Sequence, residues 1–126
     1  GCFGPGLKKN AIFDLLNDHL VDAIDPEARF QFYDVRRLWR DIGVALRAGL
    51  PLVHMATAPV AMREVASQVF GRSLLDRPGP HAGYDFHTRH AALWGQSGPY
   101  LADRDEVLGG IASWVAVERG QLAAGR

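Results

Sequence analysis

The stretch FQFYDVRRLWRDIGVALRAGLPLVHMAT, residues 30–57, decides how the rest of the chain is read. Its first six residues are aromatic and β-branched enough to predict a strand. Asp34 stands at an N-cap position ahead of VRRLWRDIGVALRAG, where Val35, Leu38, Trp39, Ile42 and Leu46 recur at helical spacing. Those five side chains form an apolar stripe expected to face a core, and Arg36, Arg37, Arg40 and Arg47 lie mostly off it as a solvated face. Gly49 stops the helix and Pro51 follows, the order that helix ends prefer. PLVHMAT (51–57) is a short apolar run between turn residues and predicts a buried strand, as in parallel sheets covered on both faces. Strand, helix and strand in this order give an α/β class.

Upstream, LKKNAIFDLLNDHL (7–20) predicts a helix with Ile12, Phe13, Leu16 and Leu20 on one face and Asn10 as its cap. Downstream, PVAMREVASQVFG predicts a second helix with Met62, Val65, Ala66, Val69 and Phe70 inward and Gly71 at its end. Ala61 and Glu64 have capping-box spacing, but an alanine at the cap costs on the order of 1 kcal/mol relative to serine. Residues 72–102 are rich in Pro, Gly and His and read as irregular, with a short strand at 84–87 and a short helix at 88–94. DRDEVLGGIASWVAVERG predicts a last helix, capped by Asp103 and Glu106, with Leu108, Ile111, Ala112 and Val115 inward. Gly109-Gly110 costs roughly 2 kcal/mol against two alanines, which suggests close approach of another backbone. Residues 121–126 read as a frayed tail. The sum is about four helices and two or three short strands, fewer than the roughly five or six strands of an average sheet.

At 126 residues the chain fits one domain, residues 1–126, with 48% apolar and 22% charged residues. A formal net charge of zero argues against a nucleic-acid partner, which would need a clustered excess of Lys and Arg. No apolar run reaches the roughly 20 residues of a membrane span. The lone Cys2 excludes an internal disulfide and fits a reducing compartment, so the expected location is cytoplasmic.

Chemistry-bearing residues are sparse. His81, His87 and His90, with Asp85 nearby, invite a zinc site, yet spacings of six and three residues match no zinc signature. Cys2 has no histidine fixed beside it, and Ser97 and Ser113 lack a nucleophile-elbow context. Gly4-Pro5-Gly6 before a helix has the outline of a phosphate cradle, but Pro5 lacks an N–H and a tight turn explains it as well. Arg77, in the rigid loop RPGPHAG with Arg72 and Arg89 nearby, suits bidentate phosphate binding.

These stretches together resemble the C-terminal part of an NAD-dependent epimerase/dehydratase, an extended short-chain dehydrogenase/reductase acting on nucleotide sugars. FGPG (3–6) resembles the Gly-Pro turn after the sixth strand of the family's Rossmann sheet, and FQFYDVRRLWRDI its strand-then-helix block. LVHMATAPVAMREVA resembles the last parallel strand, its loop and the following helix. RPGPHAGYDFHTRHAALWG resembles the segment that supplies a diphosphate-binding arginine, with Arg89 at a lysine position and Gly95 at a glycine position. Phe30 replaces an arginine common there, Arg36-Arg37 replace acidic residues, Pro80 an aspartate and Ala61 a capping serine.

The resemblance implies a Rossmann-type fragment carrying the substrate-binding region, with Arg77, Lys8, Lys9, Asn10 and Tyr33 around a nucleotide-sugar cleft. It implies NAD(P) for an intact parent and no cofactor for this portion. The family's Tyr-x-x-x-Lys pair is missing, since Tyr33, Tyr84 and Tyr100 are followed four residues on by Arg37, Thr88 and Arg104. No Gly-rich dinucleotide loop occurs either, so no catalytic residue is expected here and the GCF opening reads as a cut strand. The alternative is a non-enzymatic module that binds a ligand or partner. Unpaired strand edges predict a homo-oligomer in either case.

Overall fold

The computed structural model describes residues 1–125. Among these it contains four helices and four strands of two residues each. The order is β1 (Cys2–Phe3), α1 (Ala11–Asn17), β2 (Arg29–Phe30), β3 (Tyr33–Asp34), α2 (Leu38–Arg47), β4 (Val60–Ala61), α3 (Met62–Phe70) and α4 (Arg104–Ala124). Single 3-10 turns lie at Val21–Ala23, Val35–Arg37 and Ala91–Trp94. The class is mixed α/β, with one strand more than the expected two or three.

The opening GCF run is a strand, and β1 pairs in parallel with β3, Cys2 opposite Tyr33 and Phe3 opposite Asp34. A parallel pair needs a crossover, and α1 lies within it. Gly4 carries the chain out of β1 at φ 136°, with its hydrogen facing Val35, whose Cγ2 lies 2.5 Å from where a Cβ would be. Only glycine satisfies both the backbone angle and that contact.

The predicted strand at 30–35 is two strands instead. β2 pairs antiparallel with β4, Phe30 opposite Val60, whereas β3 turns to the other sheet. Gln31 sits at the break, and its side-chain nitrogen donates to the carbonyls of Thr57 and Phe86 while its oxygen accepts the Phe86 N–H. The predicted strand at 51–57 does not form. Only its end is bonded, Ala56 and Ala58 linking to Leu101 and Ala102 around a parallel bridge at Thr57. No strand pairs with 51–55, so Leu52 is left 70% exposed. At 84–87 there is likewise no strand, only a Gly83–Arg29 bridge, and the helix expected at 88–94 shrinks to the Ala91–Trp94 turn.

Helix α1 begins where its cap dictates, because the Asn10 side-chain oxygen accepts the N–H groups of Ile12 and Phe13 at 3.0 and 3.1 Å. It ends at Asn17, before Leu20, which is exposed, and buries Ile12 and Leu15. Helix α3 starts at the cap-deficient Ala61 and keeps the reciprocal half of a capping box, the Ala61 N–H donating to Glu64 at 3.0 Å. Gly71 ends it in the left-handed region at φ 63°. Helix α4 opens on a complete box between Asp103 and Glu106 and runs through Ala124, into the expected tail at 121–126, of which Arg126 lies outside the described residues. Val107, Leu108, Ile111, Trp114 and Val115 are its buried face, and Ala112 points outward.

The core joins Phe3, α1, the β2–β3 segment, α3 and α4, with Met62, Val65 and Ile111 fully enclosed. Helix α2 contributes nothing to that cluster. Its expected stripe faces solvent: Trp39 is 86% and Leu46 72% exposed, while Asp41 and Ala45 turn inward. The glycine pair in α4 also differs from expectation. Gly109 faces open space, and the near neighbours of Gly110 are side chains, Phe3 at 3.3 Å and Asp34 at 3.5 Å from a Cβ position.

Two consequences are measurable. Gly109→Ala gains roughly 0.5–1 kcal/mol of helix propensity, whereas Gly110→Val overpacks against Phe3 and loses roughly 1–3 kcal/mol, both read by urea unfolding. Glu64 accepts from Arg104 of α4 at 2.8 Å as well as from the Ala61 N–H. Burial alone raises its pKa, but these donors outweigh it and the net shift is downward. A carboxylate with a lowered folded pKa adds stability above its unfolded pKa and loses it as pH falls through the folded one. Glu64→Gln therefore destabilises at neutral pH, and the gap to the parent closes below about pH 4.

Candidate functional site

Among the described residues the one fully buried charged side chain is Asp41, in the first turn of α2. The Tyr33 hydroxyl of β3 donates to its Oδ2 at 2.6 Å, and the Trp94 indole N–H donates to Oδ1 at 2.9 Å. Arg37 Nε and Arg40 Nε lie 3.8 and 3.9 Å from the carboxylate, close enough to offset its charge without a direct hydrogen bond. Arg37 also reaches Glu106 of α4 at 3.8 Å. Burying a carboxylate costs several kcal/mol unless charge and lone pairs are answered, and here three separated segments answer them. Burial and the adjacent carboxylate hold the Tyr33 hydroxyl protonated far above its usual range.

Beside this network opens a cleft of about 440 Å³, lined by β1, Gln31, Tyr33, Leu38, residues 54–57 and Phe86. Of the five expected substrate-binding residues, Tyr33 alone lines it, and its hydroxyl is already committed to Asp41. Asn10 touches the rim, its side-chain N–H donating to the Cys2 carbonyl at 2.9 Å, and its oxygen is spent on capping. Lys8 and Lys9 are exposed in the turn before α1. Arg77 lies elsewhere, donating to the Ala23 carbonyl at 2.5 Å, next to the Asp25–His81 pair. Asp25 is held below the usual carboxylate range, chiefly by the hydrogen bond from His81. The structure therefore places Tyr33 in the cleft, Asn10 against the Cys2 carbonyl at its edge, and Arg77 outside it.

Comparison with known protein families, with curated proteins and with solved structures finds no match to this chain. Its chemistry must be argued from the residues alone. The three loop histidines do not converge: His81 is drawn to Asp25, and His87 to Asp85 at 3.2 Å. Among the described residues no three His, Cys, Asp or Glu side chains are grouped to hold a metal ion. No helix among them is long and apolar enough to cross a membrane.

The Gly4-Pro5-Gly6 turn does not fit a dinucleotide, because the space at Gly4 is filled by Val35 and Pro5 offers no N–H.

The sequence reading missed Asp41 and Trp94. The available signal was the Arg37–Asp41 pair at i,i+4 spacing. It was masked because a charged residue beside an apolar stripe usually faces water.

Asp41→Ala strands the Tyr33 hydroxyl and Trp94 indole and costs about 3 kcal/mol or more. Trp94 fluorescence should report a looser environment at the same time. Tyr33→Phe costs about 1–2 kcal/mol, because Asp41 keeps its other donor.

Proposed function

We propose that the chain is the substrate-binding portion of a cytoplasmic nucleotide-sugar epimerase, dehydratase or reductase. In this reading it is a piece of a Rossmann-type extended short-chain dehydrogenase, working against a separate NAD(P)-binding half. The observation that carries it is the parallel β1–β3 pair with α1 in the crossover, placed beside an apolar helix face that nothing covers. A parallel pair of two residues per strand is too small to stand alone, and its chemistry-poor cleft suits a subunit half whose reaction runs elsewhere. Tyr33 cannot serve as acid or base near neutral pH, since its proton is held against Asp41. The acid–base tyrosine and the dinucleotide loop belong to the other half in this reading, and no step is assigned to the residues present.

Substrate recognition falls to exposed cations. Tyr33 walls the sugar cleft with Asn10, Lys8 and Lys9 at its α1 end, and Arg77, which lies outside that cleft, grips the diphosphate where it extends beyond it. To do so, Arg77 must exchange the Ala23 carbonyl for a phosphate, a charge-assisted bond roughly twice as strong.

A second reading is favoured by the same exposed stripe: a non-enzymatic module that self-associates through α2 and the free strand edges.

Titration of the polypeptide with UDP-glucose and related nucleotide sugars separates the two. The first reading expects saturable binding that Arg77→Ala weakens about tenfold or more. It is overturned if no nucleotide sugar binds, or if Arg77→Ala leaves the affinity unchanged. The self-association reading expects Trp39→Glu with Leu46→Glu to convert a dimer to monomer by light scattering, with no nucleotide sugar bound.

A further inference from the structure

A cleft of about 570 Å³ lies between residues 50–54 and 87–90. The fold brings His54 to His87 and His90 across more than thirty residues of chain, with Arg89 among them. Residues 50–53, Leu-Pro-Leu-Val, supply an apolar wall, and no carboxylate lines the cleft. Among the described residues His54, Arg89 and His90 form no ion pair, whereas most other arginines of the chain are paired. Unspent cationic and N–H donors gathered opposite an apolar wall are unusual on a chain of zero net charge.

The cationic side is held in place. Thr88 is buried, its N–H donates to the Pro99 carbonyl at 2.8 Å, and its hydroxyl oxygen accepts from the His90 N–H at 3.3 Å. The His87 ring meets the edge of Tyr100 at 5.5 Å and reaches Asp85 with Nε2, which leaves Nδ1 as its remaining nitrogen. The Ala91–Trp94 turn that follows is tied to Asp41 through Trp94. The backbone that carries Arg89 and His90 is thus fixed before binding, so only their side chains lose freedom when an anion arrives.

We propose that this cleft binds a small phosphorylated molecule with an apolar ring, the phosphate taken by Arg89 with His54 and His90, the ring laid on residues 50–53. The guanidinium offers the planar fork that matches phosphate oxygens, and the imidazoles add further N–H donors. The apolar wall selects for a ring attached to the phosphate. The proposal does not rest on the nucleotide-sugar reading, since Arg77 and the Tyr33 cleft take no part.

Phenyl phosphate combines the two required groups and is the probe. Added to isotopically labelled protein, it should shift the imidazole resonances of His54, His87 and His90 saturably, leaving His19 and His81 unmoved. Arg89→Ala should raise its Kd about tenfold or more, and phenol or inorganic phosphate alone should bind several-fold more weakly. Arg89 is exposed, so its truncation leaves the fold intact, which a circular dichroism spectrum checks. The proposal is overturned if no saturable shift occurs, if all the histidines move alike, if phenol competes as well as phenyl phosphate, or if Arg89→Ala binds as tightly as the parent.

Discussion

A single buried carboxylate sets the orientation of everything that surrounds it. Asp41 gathers Tyr33 from the parallel strand pair, Trp94 from the Ala91–Trp94 turn and the charge of Arg37 from the turn that leads into α2, and Arg37 passes the link on to Glu106 of α4. The bonds from Tyr33 and Trp94 are directional, so together they fix not only where α2 lies but how it is rolled about its axis. Apolar packing could not do that, because it tolerates rotation as long as area stays buried. Helix α2 adds no side chain to the main core and depends on this polar anchor for its place.

The roll it adopts has a cost that the rest of the molecule does not offset. Burying a large apolar side chain is worth roughly 1.5–3 kcal/mol, and Leu38, Trp39 and Leu46 are all left exposed. A hydrogen bond to a charged group is worth about 1.5–3 kcal/mol net, so two of them compete poorly with a fully buried stripe. The outward roll is therefore the favourable one where another surface covers the stripe. Leu52, on the unpaired stretch that follows, is a further exposed apolar side chain. This is the physical content behind the proposal of a second half.

The parts of the fold that could be read from sequence are those that local chemistry decides. Asn10, Asp34 and Asp103 cap where their side chains allow, and Gly71 ends α3 because only a residue at ease with positive φ can. The helices of α1, α3 and α4 follow from these signals together with their apolar spacing. What could not be read depends on partners distant in sequence. LVHMAT has every property of a buried strand and becomes coil because nothing lies beside residues 51–55. FQFYDV divides because Gln31 finds Thr57 and Phe86, residues no local rule connects to it. The α2 stripe was recognised correctly as apolar, but periodicity cannot say whether the matching face exists.

The same limit applied to the functional residues. A tyrosine on a strand often lines a cleft, and Tyr33 does line one, yet its hydroxyl donates to the Asp41 carboxylate eight residues on. Arg77 looked like a phosphate ligand from its rigid loop, and that loop is held instead toward Ala23 and Asp25. His54 lies in an apolar run whose pattern speaks only of burial. Because the run stays unpaired, its imidazole comes to face His87 and His90. A failed strand thus places a side chain that a formed strand would have left in the middle of a sheet. The unpaired segment is the common origin of the exposed Leu52 and of the cationic cleft, so a partner strand added along residues 51–55 would act on both at once.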